Sequence, residues 1–176
     1  MTDDKSFEPL TGEAEPSDWL VQTDRLVVRR FVLDDVDAAL DYLGDPAVME
    51  FVEPCMDHAR ATEFIQKAGL GPAPLVWAVQ LRSTRRLIGH IIFHPWPDST
   101  AWELGWLLRR DAWGNGFATE LSTALIDYGF NQLGIDQIIA ECLPTHQASI
   151  ATIKRVGLTR ARHLDQDLPV WSIHRE

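Results

Sequence analysis

Gly114 and Gly116 stand two residues apart between an apolar run ending at Leu108 and a stripe of Phe117, Leu121, Leu125 and Tyr128 at helical spacing. Alternate glycines let main chain approach a ligand with no Cβ in the way. The first turn of a helix adds unpaired N–H groups, backed by the positive end of its macrodipole. A strand, a glycine turn and a helix amino end therefore form a cradle for an anion such as a pyrophosphate. The turn lacks the third glycine of a dinucleotide-binding fingerprint and the Gly-Lys-Ser/Thr of a P-loop. The blander reading is a tight turn and nothing more. Elsewhere the chemistry is sparse: six histidines lack metal-ligand spacing, and Cys55 and Cys142 alone cannot build a zinc site or a disulfide framework, so no metal is expected.

The elements that would hold this turn read as follows. Arg25–Phe31 mixes β-branched and apolar residues with arginine, as a half-exposed strand does. Asp34 and Asp35 open a helix carrying Val36, Ala39, Leu40 and Leu43 and closed by Gly44, with its acids where the macrodipole favours them. Residues 45–56 read as an irregular connection, and Asp57–Lys67 as a second helix. Leu75–Leu81 and Leu87–Phe93 pair as a hairpin, followed by a strand over Ala101–Leu108 and another over Gln137–Leu143. A further helix follows Pro144 and Thr145 and ends at Gly157, with Lys154 and Arg155 in its last turn. Helices followed by a meander of strands make an α+β fold. Trp77, Trp102 and Trp106 read as core, Trp96 as loop-exposed, and Cys142 as a buried thiol facing away from its neighbour Glu141.

The 176 residues, 45% of them hydrophobic, fit one domain plus a tail. Residues 1–18 hold six acids against one base and carry half of the net charge of −10; we read 1–20 as an acidic arm and 21–176 as a single domain. A net negative chain has the wrong sign for binding nucleic acid through phosphates. With no membrane-span run, no signal-peptide pattern and only two cysteines, a cytoplasmic protein is expected, as a monomer or homodimer.

Glu103–Leu108 followed by Trp113-Gly-Asn-Gly-Phe-Ala-Thr-Glu120 resembles the acetyl-CoA signature of the GCN5-related N-acetyltransferases (GNATs), and within them the RimJ/RimL-like branch that acetylates ribosomal-protein amino termini. Thr23–Phe31 resembles that branch's first strand, Tyr128-Gly-Phe130 its helix end and His146–Leu158 its second cofactor helix, so the likeness covers residues 23 to about 173. It implies a mixed central sheet of about six or seven strands flanked by about four helices, with acetyl-CoA as cosubstrate. Backbone groups of Trp106, Leu107 and Leu108 would run beside the pantetheine arm, as an added strand does. The pyrophosphate would sit on the amides of Gly114, Asn115, Gly116, Phe117, Ala118 and Thr119. Trp113 stands where most of the superfamily has Gln or Arg, and the RimJ/RimL-like branch shares the tryptophan. The family's Asn-x-x-Ser appears as His146-x-x-Ser149: Ser149 keeps its place near the thioester sulfur, while His146 departs from the asparagine that contacts the arm. The tyrosine acid of other branches is replaced by Ile153, which leaves Ser149, or water held by it, to return a proton to the thiolate.

Acetyl transfer to an amine also needs a base and an oxyanion donor. The resemblance places a strand N–H near Leu107 or Leu108 as the donor. Glu103 and Glu141 are the candidate bases, each with the alternative of a solvated or arginine-paired acid. Acceptor choice in the family falls to segments matching about 44–57 and 163–169; the first holds Asp45, Glu50, Glu53 and Asp57 and no base, which favours a cationic amine. Two other readings stand beside a direct, ternary-complex N-acetyltransferase: a noncatalytic acyl-CoA sensor, and an interaction domain whose acidic arm recruits a basic partner.

Overall fold

Apolar residues alternating with polar or small ones build the sheet. The computed structural model describes residues 19–164 and 167–176; residues 1–18 of the arm read at 1–20 and two residues of the 163–169 loop lie outside them. The strands are β1 (Trp19–Gln22), β2 (Leu26–Arg29), β3 (Val76–Leu81), β4 (Leu87–Pro95), β5 (Trp102–Leu108), β6 (Gln137–Glu141), β7 (Thr159–Arg160) and β8 (Val170–His174). The helices are α1 (Val36–Leu43), α2 (Pro46–Met49), α3 (His58–Phe64), α4 (Phe117–Asn131) and α5 (Gln147–Arg155). The α+β class and mixed sheet are as expected. The additional elements are short ones: β7 has two residues and α2 four. Trp19 and Leu20, read as arm, belong to β1, with Trp19 opposite Arg29.

Two further readings are corrected. Residues 45–56 are not wholly irregular, because Asp45 accepts a hydrogen bond from Ala47 N (2.9 Å) and Pro46 occupies the first turn, which together start α2. Trp96 is half-buried and packs on Ala101, Ile139 and Val170, so it belongs to a small core, not a bare loop.

All strands form one sheet in the order β1-β2-β3-β4-β5-β6-β8-β7, antiparallel except for β5 beside β6. One face packs on α4, whose Leu121 and Leu125 are fully buried against Leu26, Ile91, Phe93 and Leu104; each such leucine contributes about 1.5–3 kcal/mol of transfer free energy. The other face carries α1 and α3, with Phe31, Tyr42, Leu43 and Ile65 in a second core.

The sheet opens in its middle. β5 pairs with β6 only at Trp102 and Glu103, opposite Ile138 and Ile139, although β5 runs on to Leu108 and β6 to Glu141. From Leu104 onward β5 thus has one unpaired edge. Its phase is fixed by Arg109 N donating to Ile88 O and Trp96 N to Ala101 O, both 2.8 Å, at the two ends of the β4–β5 pairing. Antiparallel pairs alternate, so Glu103, Gly105 and Leu107 turn their amides and carbonyls to β4, while Leu104, Trp106 and Leu108 turn theirs to the open edge.

Candidate active site

The split in the sheet leads to the start of α4. Gly116 is the N-cap, with φ +77°, and no side chain caps the helix. Glu120 N is the first amide to close a helical turn, on Gly116 O (3.0 Å), so those of Phe117, Ala118 and Thr119 have no partner within the helix. Gly114 is also left-handed (φ +74°). The turn is braced from behind: Asn115 Nδ2 donates to the carbonyls of Ala112 and Trp113, and Arg25 donates to Asn115 O (3.0 Å) while paired with Glu120. Trp113 Nε1 donates to Leu108 O (2.9 Å), taking up the last carbonyl of the open edge.

A groove of about 630 Å³ runs over this helix end. Its walls include Trp106, Leu107, Leu108, Trp113, Gly114, Gly116, Phe117, Ala118, Thr119, His146 and Ser149, which brings together all but one of the residues expected at the cofactor. The exception is Asn115, whose side chain is turned into the loop. Sequence reasoning missed Arg155. It was read as a charge on the C-terminal dipole of α5, yet it lines the groove with Nη1 3.5 Å from Thr119 Oγ1 and has no carboxylate partner among the described residues. An unpaired cation beside an uncapped helix start is a fit for a phosphate group.

A second cavity, about 330 Å³, adjoins the first; Trp106, Leu107, Phe51, His146 and Ser149 line both. Here Glu103 and Glu141 meet, on the two strands that separate. Burial pushes the Glu103 carboxyl up from its usual range, and His94 Nε2, 3.4 Å away, opposes the rise. Glu141 is also pushed up, first by burial and then by repulsion from Glu103 and Asp167. The remaining wall is largely apolar, with Leu43, Met49, Met56, Phe64, Val76 and Ile92.

His146 starts α5 without capping it; its ring stacks on Phe51 with centroids 4.4 Å apart and planes at 15°. Burial lowers its pKa, against the pull of Glu50. The stack joins the segment after α2 to α5 across the boundary of the two cavities, and Phe51 carried no sequence signal. Trp106, read as core, lines both cavities. Cys142 is buried as expected, with its thiol held above the usual range by burial; Sγ donates to Leu143 O (3.4 Å), and the residue shares the second cavity with Glu141.

Three of the four acids expected to attract a cationic acceptor have other partners, although Glu53 also lines the second cavity. Asp45 caps α2 and lies 3.5 Å from Arg110; Asp57 caps α3 through Arg60 N (2.9 Å); Glu53 pairs with Arg60 (3.2 Å). Among the described residues no cluster of three or more His, Cys, Asp or Glu is placed to hold a metal ion, and no helix is long and apolar enough to cross a membrane.

Residues 25–159 match the acetyltransferase (GNAT) domain family. The chain belongs to the GNAT family. It is 30% identical over 150 residues to the uncharacterized N-acetyltransferase YnaD of Bacillus subtilis (strain 168), covering 85% of this chain and 88% of that one. Among solved structures it resembles a GNAT-family acetyltransferase from Bacillus anthracis, with a TM-score of 0.78, 25% identity and coverage of 88% and 97% of the two chains. The microcin C7 self-immunity acetyltransferase MccE, solved with acetyl-CoA and AMP, shares the fold at a TM-score of 0.72 and 13% identity, over 87% and 94% of the chains. This GNAT chain is an N-acetyltransferase.

Proposed function

We propose that the protein transfers an acetyl group from acetyl-CoA directly to a primary amine while both are bound. The observation that carries this reading is the junction of two cavities at Trp106, His146 and Ser149. On one side stands an uncapped helix start with an unpaired arginine, and on the other a pair of carboxylates. The cosubstrate supplies an activated acyl carbon and a thiolate leaving group.

The chain's own groups then divide the work. The amides of Gly116–Thr119 and the Arg155 guanidinium hold the diphosphate, where dipole and charge act together. The open edge of β5 offers the amides of Trp106 and Leu108 to the pantetheine arm and the thioester carbonyl. Leu107, whose N–H belongs to β4, drops out as oxyanion donor, and Trp106, at the junction, takes that role. Glu103 accepts the proton of the attacking ammonium, and its raised carboxyl brings it closer to the affinity that task needs. As the C–N bond forms and the C–S bond breaks, the hydroxyl of Ser149, directly or through water, returns a proton to sulfur. Glu141 keeps the cavity negative, with its own carboxyl raised by burial and by repulsion from Glu103. Phe51 and His146 wall the reaction off from the side of α2.

Calorimetry with CoA and a thiol-release assay over a panel of primary amines test this. Micromolar CoA binding with amine-dependent release is expected. No CoA binding by folded protein would overturn the cradle, and binding with no release for any amine would overturn the transfer.

A further inference from the structure

The floor of the acceptor cavity holds a polar group that the transfer chemistry does not use. β4 carries a one-residue bulge: Val79 is opposite Gly89 and Gln80 opposite Leu87, so Ile88 is extra. In consequence Ile88 and Ile91, three residues apart, both face the α4 core, and His90 is turned to the other side, into the second cavity. Bulges re-aim side chains in this way. The rings of Phe31, Tyr42 and Phe64, with centroids 6.4, 5.6 and 5.3 Å away, box the imidazole. His90 is only 5% exposed.

The ring's protonation is fixed by one contact. Tyr42 is wholly buried, and its hydroxyl lies 3.0 Å from His90 Nδ1 with no other partner among the described residues. A buried phenol must donate its proton, so Nδ1 is the acceptor. Burial lowers the His90 pKa to about 4, which keeps the ring neutral near pH 7 and leaves its single proton on Nε2. Nε2 has no hydrogen-bond partner among the described residues.

We propose that His90, set as the Nε2–H tautomer by Tyr42, is a specificity-determining donor that selects amines whose body carries a hydrogen-bond-accepting oxygen, such as a carbonyl, hydroxyl or ether. This rests on reading the second cavity as the acceptor site. Glu103 stands at its other end: His94 is opposite Glu103, and His90 is opposite Leu107, four residues along each strand, or about 13 Å of backbone. The acceptor's nitrogen and its oxygen are therefore separated by an apolar body lying over Gly105 and Ile92. The titratable groups facing this cavity are Glu53, Glu103, Glu141, Cys142, His90 and His146, and Glu103 lies four residues along β5 from the residue opposite the boxed imidazole. A neutral donor gives no attraction to a second ammonium, so a polyamine gains nothing from His90. An acceptor without the oxygen leaves a buried N–H unpaired, the situation in which a site discriminates most strongly.

Matched pairs of primary amines test this, each pair an ether or ketone and the alkyl chain of equal length, with kcat/KM read by thiol release. The wild-type enzyme is expected to favour the oxygen-bearing member by about tenfold, the size of one well-placed hydrogen bond. Tyr42→Phe, which deletes only a hydroxyl, should lose part of that preference, and His90→Leu all of it while still turning over the alkyl member. Ring ¹⁵N NMR of the unliganded protein should show Nε2 protonated and Nδ1 bare at pH 7. The opposite tautomer, or equal kcat/KM within the wild-type pairs, overturns the proposal alone. No turnover of any amine overturns the acceptor reading and takes this proposal with it.

Discussion

Gly116→Ala separates the backbone cost of the glycine turn from its use. A Cβ at Gly116 would meet only Arg25 Nη2, at 3.7 Å, an ordinary contact, so the folded chain has room for the methyl group. What remains is the left-handed backbone, φ +77°, which costs an alanine about 1–2 kcal/mol. For a chain of this size that lowers Tm by about 2–8 °C. Gly134 provides the control: its φ is +69°, it lies beyond the far end of α4, and its Cβ would meet only Arg175 Nη1, at 3.8 Å. Gly134→Ala should lose the same stability. The two part over CoA. At Gly116 the methyl group and the relaxed turn displace a phosphate from the free amides of α4, removing a charge-assisted hydrogen bond worth about 1.5–3 kcal/mol. The dissociation constant should then rise by about ten- to a hundredfold. Differential scanning calorimetry and titration calorimetry read both quantities on the same samples. Equal CoA affinity in Gly116→Ala and Gly134→Ala, with both folded, would refute the cradle, because the helix start would then be no more important to the ligand than a turn at the opposite end.

The other predictions concern charges. Arg155→Gln removes the cation with no carboxylate partner; the KM for acetyl-CoA should rise about fivefold at low salt, equivalent to about 1 kcal/mol, and the difference should shrink as added salt screens it. Glu103→Gln should cut kcat/KM by about a hundredfold or more and remove its acid limb, as loss of a general base does. The same variant should be more stable than wild type at pH 7. The folded Glu103 carboxyl sits above its unfolded value, so the native state binds the extra proton and wild-type stability falls as pH rises through that window. The gain in Tm should therefore fade toward pH 4. His90 has the reverse sign: its folded pKa of about 4 lies below the unfolded 6.5, so its stabilising effect is complete above pH 6.5 and is lost as pH falls toward 4. Urea titrations of His90→Gln across that range should show a flatter loss of stability than wild type.

Which parts of the site were legible in the sequence follows from what they are made of. The diphosphate end is main chain: a strand, two left-handed glycines and the first turn of α4, all within residues 102–119. Main-chain geometry leaves a local signature, which is why Gly114 and Gly116 stood out in the sequence, whereas the edge of β5 was expected only through the family resemblance and its opening is set by the register of β6. The register still altered one detail, because the alternation of hydrogen-bonded pairs gives the Leu107 amide to β4 and leaves Trp106 and Leu108 at the edge. For Asn115 the motif assigned only a backbone amide, and its side chain closes the loop behind that amide.

The acceptor end is made of side chains, drawn from α1, β4, β5, β6 and α5 and the segments around α2 and α3. No window of sequence contains it. Glu103 and Glu141 could be named as strand acids, but their sharing of one cavity depends on where the sheet splits. Phe51 is an unremarkable apolar residue until it stacks on His146, and His90 is one of six histidines until a bulge turns it inward and Tyr42 takes its Nδ1. The acids of residues 45–57 illustrate the converse, since a local charge count suggested a cationic acceptor and capping and ion pairing have since absorbed most of it. On the proposed reading, cosubstrate and acceptor are therefore specified by separable parts of the chain. Substitutions at His90 and Glu141, which line the second cavity alone, can change which amine is taken with the thioester end intact, whereas any change that closes Gly116 to a phosphate removes both.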